Sequence, residues 1–316
     1  MSALLGHLGV LRFAGADAST FLQGQVSNDT RRLDAREALL AACASVQGRV
    51  LAVLHLLPHT QGILAIVPRE LIPGLTERLR RFVLRSKVQI RDLSEEWAVA
   101  GLSDAKALAA AGLTPTNAAG YLEQDDIGIA SVHPMSARYW AVGPRSALEA
   151  RGLTAGAPAS GAASAGAPTA GAPTGGGAGS DAAWRLADIR DGLPQIYAAT
   201  SELFIAQMLN LDLIGGISFS KGCYTGQEII ARTQHLGRIK RRMFHLRLPR
   251  LLEIGAPLAL TDGRTGRVVE CVSVGEHCEA LAVLSLEPGA AESEGSGAAL
   301  AALELPLPYP LGAEAR

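Results

Sequence analysis

From Thr154 to Asp181 the chain reads TAGAPASGAASAGAPTAGAPTGGGAGSD, almost wholly Ala, Gly, Pro, Ser and Thr, with no large apolar residue. A segment that buries so little apolar surface cannot offset the entropy of ordering its backbone. It is expected to be a disordered insertion, so the packed parts of the protein must come from the residues before and after it. The 316 residues suffice for two or three domains and a sizeable core. Nearly half are apolar but only 4% are aromatic, so Leu, Ile, Val and Ala must fill that core.

Residues 46–150 alternate short strands and helices. RVLAVLHLL and GILAIVP read as buried strands, and LIPGLTERLRRFVL places Leu71, Leu75, Leu79, Phe82 and Val83 on one helical face. KVQI and WAVAGL return to strand character, and Ser103 is placed to cap a helix that stops at Gly112. IGIASV and RYWAVG add two more strands. Antiparallel strands with a few covering helices point to an α+β layer, not a doubly wound sheet, and no GxGxxG or Walker sequence is present. From Arg242 the pattern is β: Phe244, Leu246 and Leu248 inward, His245 and Arg247 outward. PLALTDGRTGRVVECV reads as a hairpin about Asp262-Gly263, and EALAVLSL and LELPLPY supply further strands. A small β-barrel over roughly 240–312 is the economical expectation.

The formal net charge of −1 supplies no global field to attract nucleic acid or anionic lipid. The N-terminal MSALLGHLGVLRFAGADAST lacks a basic region followed by an apolar run, and stretches such as VLAVLHLLP fall far short of the ~20 residues of a spanning helix. A soluble, cytoplasmic chain without a membrane partner is expected. Cys43, Cys223, Cys271 and Cys278 form no CxxC and no disulfide framework. His7, His55, His59, His133, His235, His245 and His277 lack paired ligand spacing, so no metal site is expected.

The stretch FSKGCYTGQEIIAR, Phe219 to Arg232, carries the chemistry. Thr225 and Glu228 read as a T-x-x-E capping box, with EIIAR continuing as helix. Cys223 then sits just before a helix N-terminus and two residues after Lys221, and both the helix dipole and the ammonium favour a thiolate. Gly222 and Gly226 let backbone N–H groups approach a ligand or an opposing loop. The plain alternative is a tight turn in which Cys223 is a small filler. No histidine lies close in sequence to act as base, so a Cys–His hydrolase is unsupported. Two basic clusters, Arg78/Arg80/Arg81/Arg85/Lys87 and Arg232/Arg238/Lys240/Arg241/Arg242, read as solvated faces, the second also as a contact for an anionic partner such as RNA phosphate.

KGCYTGQE, Lys221 to Glu228, resembles the signature of the YgfZ family of folate-binding proteins linked to iron–sulphur cluster maintenance and tRNA modification. FLQGQVSNDT (Phe21–Thr30), SVQGRVLA and the run GLPQIYAATSELFIAQMLNLDLIGGISFSKGCYTGQE are similar to the family as well. The resemblance implies the fold of the glycine-cleavage T-protein aminomethyltransferase: an α+β ring of three domains around a central folate site, with a C-terminal small β-barrel. On this basis residues 1–45 with 182–238 form a folate-facing domain, 46–152 a ferredoxin-like domain, 153–181 the insertion and 239–312 the barrel. Cys223 becomes a candidate reactive thiol beside Lys221, with Gly222, Tyr224, Thr225, Gly226, Gln227 and Glu228 as its motif. Asn28, Asp29, Gln207 and Asn210 become polar lining of a folate cavity.

Two departures bear on activity. No Asp occurs between Ala35 and Arg91, where T-proteins carry their catalytic aspartate, which argues against aminomethyl transfer. The family's folate-facing IEAG reads IRDG, Ile189 to Gly192, so Arg190 replaces a glutamate with Asp191 beside it. A pterin's adjacent N–H donors pair naturally with a carboxylate. The resemblance thus implies a tetrahydrofolate-binding accessory protein for iron–sulphur cluster assembly or repair and, through it, tRNA modification. Its expected partners are folate, iron–sulphur proteins or their assembly factors, and more weakly RNA. The alternative is a folate-dependent one-carbon transferase using tetrahydrofolate or a one-carbon folate.

Overall fold

The computed structural model describes residues 2–117, 120–155, 178–288 and 298–311. In chain order the first part contains β1 (Ser2–Leu4), β2 (Leu8–Ala14), α1 (Ala18–Gln23), β3 (Leu39–Ala44), β4 (Val50–His59), β5 (Gly62–Pro68) and α2 (Ile72–Val83). There follow β6 (Gln89–Asp92), β7 (Trp97–Leu102), α3 (Ala105–Ala110), β8 (Tyr121–Gln124), β9 (Ile127–Ser131), β10 (Tyr139–Pro144) and α4 (Arg145–Ala150). The second part contains α5 (Ala178–Arg190), α6 (Gln227–His235), β11 (Arg241–Leu248), β12 (Pro257–Ala259), β13 (Thr265–Val274), β14 (His277–Ser285) and β15 (Leu303–Leu305). The strands build three antiparallel sheets, ordered β1-β7-β10-β9-β8, β3-β4-β5-β2-β6 and β12-β13-β14-β11-β15.

Two compact units emerge. The first comprises residues 1–18, 32–39 and 55–184, and the second residues 19–31, 40–54 and 185–316. In the first unit, one face of the β1-β7-β10-β9-β8 sheet packs Ala98, Ala100, Leu102, Ile129 and Ala141 against Leu108 of α3 and Leu148 of α4. The expected strands at GILAIVP, WAVAGL and RYWAVG are β5, β7 and β10. Helix α2 forms as its periodicity requires, but its buried stripe is Ile72, Leu75, Thr76 and Leu79. Phe82 is exposed beneath the Arg78 guanidinium, since the helix ends one residue later, at Val83. The cap of α3 is Asp104, whose carboxylate accepts the Ala107 N–H at 2.8 Å, while Ser103 donates to Asp104. A carboxylate one residue nearer the first turn outcompetes the serine hydroxyl. On α2, Arg81 pairs with Glu77 one turn back, and Arg80 donates to the Ile90 carbonyl, so the first basic cluster is partly neutralised.

The expected insertion lies, for residues 156–177, outside the described residues. Its last four residues, Ala178 to Asp181, form the opening turn of α5, where Asp181 accepts the Gly6 N–H at 3.1 Å. In the second unit, Phe244, Leu246, Leu248, Val268, Ala280 and Ala282 form the core of the C-terminal sheet. The β12–β13 hairpin turns at Asp262-Gly263, with Gly263 at φ +86° and the Asp262 carboxylate accepting the Arg264 N–H. The barrel expectation is not confirmed: among the described residues the sheet runs from β12 to β15 without closing. Among the described residues the Leu260–Leu300 bridge and the Arg264–Glu304 ion pair join its two edges, and the three-residue β15 pairs with β11. His245 also differs from expectation. It is buried, since its Nε2 meets the Glu279 carboxylate at 3.0 Å across the β11–β14 pair.

Candidate functional site

The site lies within the second unit, where three separated stretches of sequence meet. The first is the end of α1 and the loop after it, FLQGQVSND. Ser27 anchors that loop: its N–H donates to the Ala42 carbonyl, its hydroxyl donates to the Gly216 carbonyl, and it accepts the Ala42 N–H. Asn28 donates its two amide protons to the Leu40 and Gly215 carbonyls, each at 2.8 Å, and accepts the Asp29 N–H. Gln23 donates to Asp29 Oδ1 and accepts the Thr30 N–H. The Arg31 guanidinium hydrogen-bonds the Asp29 carboxylate and holds its carboxyl far below the usual range, against the opposing effect of burial.

Lys221 clamps this loop. Its Nζ donates to the carbonyls of Gln23 at 2.7 Å, Val26 at 2.6 Å and Asn28 at 2.9 Å. An ammonium has three protons, and all three are used. The Gln23 carbonyl ends α1, where a helix leaves acceptors without partners and welcomes a cation. The ammonium also lies 4.7 Å from the centre of the Tyr224 ring. Burial pushes the lysine down to about 8, while the charge of Asp29 acts in the opposite direction. Lys221 is therefore a structural clamp whose three protons all go to the loop.

The second stretch, SVQGRV, forms a tight turn in which the Ser45 N–H donates to the Arg49 carbonyl and the Gly48 N–H to the Ser45 carbonyl. The third, KGCYTGQE, lies against both. The Thr225 N–H donates to the Gly24 carbonyl at 3.1 Å. Gly48 (φ +71°) and Gly226 (φ +83°) pack backbone to backbone; a Cβ on Gly226 would meet the Ser45 carbonyl oxygen at 2.4 Å, and one on Gly48 would meet Ile229 at 2.8 Å. Both conformation and space demand glycine at these positions. Because Gly226 is left-handed, α6 begins at Gln227 and Gly226 is its N-cap without a side-chain cap bond. The Thr225–Glu228 capping box is thus not formed; instead Gln227 Oε1 accepts the Tyr224 N–H at 3.0 Å, and Glu228 sits in the first turn. Burial raises the Tyr224 hydroxyl to about 12. Cys223 is exposed, whereas Cys43, Cys271 and Cys278 are buried. At Gly222 an added Cβ would enter open space.

The other candidate contacts are tied internally. Asn210, left-handed at φ +58°, donates to the Met243 carbonyl at 2.8 Å and to the Tyr309 hydroxyl. Gln207 donates to the Ile230 carbonyl at 2.7 Å, which orients its amide, and its buried Oε1 has no donor. Arg190 is bound to Glu279, and Asp191 follows it, half-buried, at the end of α5. In the second basic cluster Arg242 points inward, gripping Asp212 and the Gln207 carbonyl, and Arg238 pairs with Glu287. Sequence reading missed Ser27, Gly48, Asp212 and Glu279 as organisers of this region. The paired occurrence of glycines in SVQGRV and KGCYTGQE was the available signal for Gly48. Among the described residues no three His, Cys, Asp or Glu side chains gather to hold a metal ion.

The fold is similar to that of a T-protein. Over 90% of this chain and 78% of the other, it is similar to the crystal structure of glycine cleavage system aminomethyltransferase T from Bartonella henselae, with TM-score 0.64 and 14% identity. That likeness shows the fold. In sequence the chain is similar to the YgfZ proteins. It is 29% identical over 281 residues to the tRNA-modifying protein YgfZ of Hamiltonella defensa, covering 86% of this chain and 79% of that one. It is 28% identical over 246 residues to the tRNA-modifying protein YgfZ of Colwellia psychrerythraea, covering 77% and 70%. No family model matches the chain. The resemblance read from KGCYTGQE thus extends over most of the length, on a T-protein-like fold.

Proposed function

We propose that this protein binds tetrahydrofolate, or a one-carbon folate, and serves as an accessory factor in iron–sulphur cluster assembly or repair and thereby in tRNA modification. The observation that carries this reading is the convergence of FLQGQVSND, SVQGRV and KGCYTGQE on one another, held by Lys221 and the Gly48–Gly226 contact, with Cys223 left exposed. The printed names of the YgfZ relatives support the tRNA-modification part, and the T-protein fold supports the folate part. Of the candidate contacts, the buried Gln207 Oε1 is the acceptor that a pterin N–H would satisfy. Asn28, Asn210 and Arg190 fit a direct contact less well, because their polar atoms hold the fold together. In this reading residues 1–45 with 182–238 face the folate, 46–152 and 239–312 complete the ring, and the protein works in the cytoplasm.

Aminomethyl transfer is the second reading, favoured by the fold alone. Against it stand the missing aspartate between Ala35 and Arg91 and the capture of Arg190 by Glu279. Calorimetric titration with tetrahydrofolate should give a micromolar-range Kd, about 8 kcal/mol of binding. Cys223→Ala should bind folate yet fail to restore tRNA modification in cells lacking the protein. Absence of heat and of thermal stabilisation at millimolar folate overturns the folate assignment. Methylene-tetrahydrofolate formed from an aminomethyl donor would favour the transferase.

A further inference from the structure

In the first unit a cavity of about 230 Å³ opens beside the turn from β1 to β2, with Leu4, Leu5, Leu8 and Trp97 among its walls. These four side chains are buried and form the apolar part of the lining. Its charged lining consists of two arginines, Arg69 and Arg145. Arg69 pairs with Glu95, whose side chain is 90% exposed, an arrangement that holds the guanidinium only weakly. Arg145 has less. Its backbone N–H donates to the Glu96 carbonyl, and among the described residues its guanidinium has no hydrogen bond or ion pair. Two carboxylates close by are committed elsewhere: Glu96 to Arg91, and Asp181 to the Gly6 N–H and His7.

Two arginines beside an apolar wall match an oxyanion carried on a compact hydrophobic body. The planar donors take two oxygens, and the leucines with the Trp97 ring take the carbon skeleton. We propose that this cavity is a binding site for a small organic oxyanion, a carboxylate or phosphate ester about the size of benzoate, with Arg145 as the principal anion contact and Arg69 as the second. The site is independent of the folate reading: none of its lining residues is a candidate folate contact, and all belong to the first unit.

The full chain is titrated with benzoate, phenyl phosphate and the neutral isostere benzamide by ligand-observed NMR. At least one anion should saturate with a Kd of about 1 mM or tighter, and benzamide should bind at least about tenfold more weakly. Whichever anion binds more tightly distinguishes carboxylate from phosphate recognition. Arg145→Gln should weaken the anion about tenfold at unchanged melting temperature, with Arg145→Lys recovering part of the loss. Arg69→Gln should weaken it severalfold, and Arg85→Gln, exposed and outside the cavity, should leave it unchanged. Should Arg145→Gln lower the melting temperature, Ala155→Leu, at an exposed point of the cavity wall and without change of charge, must weaken binding instead. The proposal is overturned if neither anion saturates below about 10 mM. It is also overturned if benzamide binds as well as the anions, or if a folded Arg145→Gln binds like the wild type.

Discussion

Arg190 and Glu279 form a two-point ion pair, Nε to Oε2 at 3.0 Å and Nη2 to Oε1 at 2.7 Å, joining the end of α5 to β14. The glutamate expected of the family at position 190 is absent, and the arginine that replaces it has found a carboxylate of its own. The Arg190 hydrogen bonds, with His245 adding to them, hold the Glu279 carboxyl below its ordinary range. A lowered folded-state pKa means that the pair's stabilisation is fully present above the ordinary glutamate value of about 4.3 and is lost as pH falls through the lowered one. Arg190→Gln should therefore cost about 1 kcal/mol near neutrality, discounted because half of the arginine side chain is exposed. Urea midpoints of the two proteins should converge in acid; a gap that persists unchanged well below pH 4 contradicts this assignment.

Lys221 and Cys223 are two residues apart but have opposite structural weight. Lys221→Met removes three charge-assisted hydrogen bonds and leaves the Gln23, Val26 and Asn28 carbonyls without that donor. A loss of about 2–4 kcal/mol is expected. Cys223→Ala, at an exposed position, should stay within about 0.5 kcal/mol of the wild type. Chemical denaturation of both variants checks the contrast, and equal costs would sink the clamp role of Lys221.

The two glycines of KGCYTG should behave differently. Gly226→Ala combines a left-handed φ of +83° with a Cβ 2.4 Å from the Ser45 carbonyl oxygen, so it should cost more than about 2 kcal/mol. Gly222→Ala meets open space and should be near neutral. Melting curves of the pair are the measurement; a tolerated Gly226→Ala would mean that the SVQGRV turn and the signature do not pack as described.

Native alkylation should mark one cysteine in four. Iodoacetamide reaches Cys223 in the folded protein, while Cys43, Cys271 and Cys278 react only after denaturation. Cys271 is doubly protected, because burial also pushes its thiol up to about 11. Peptide mass spectrometry before and after guanidinium treatment reads the pattern, and native labelling of Cys271 would contradict the packing of β13 on β14.

The strands, the α2 helix and the Asp262-Gly263 hairpin were legible because alternation, helical period and turn chemistry act between near neighbours. The same holds for KGCYTGQE, whose eight residues identify the relatives without any knowledge of the fold. What neighbours do not encode is which partner a polar side chain meets. Lys221 lies two residues from Cys223, yet its protons go to carbonyls 193 to 198 positions away in the chain. His245 reads as an outward residue by alternation, and only the antiparallel register of β11 with β14 brings Glu279 to it. Thr225 spells a helix cap, but the Ser45 carbonyl and Gly48 press on Gly226 and move the helix start. Local preferences are worth about 1 kcal/mol or less per residue, whereas a buried donor or acceptor left without a partner costs about 1–3. Where the two conflict, the long-range partner wins, and that partner exists only once the chain has folded.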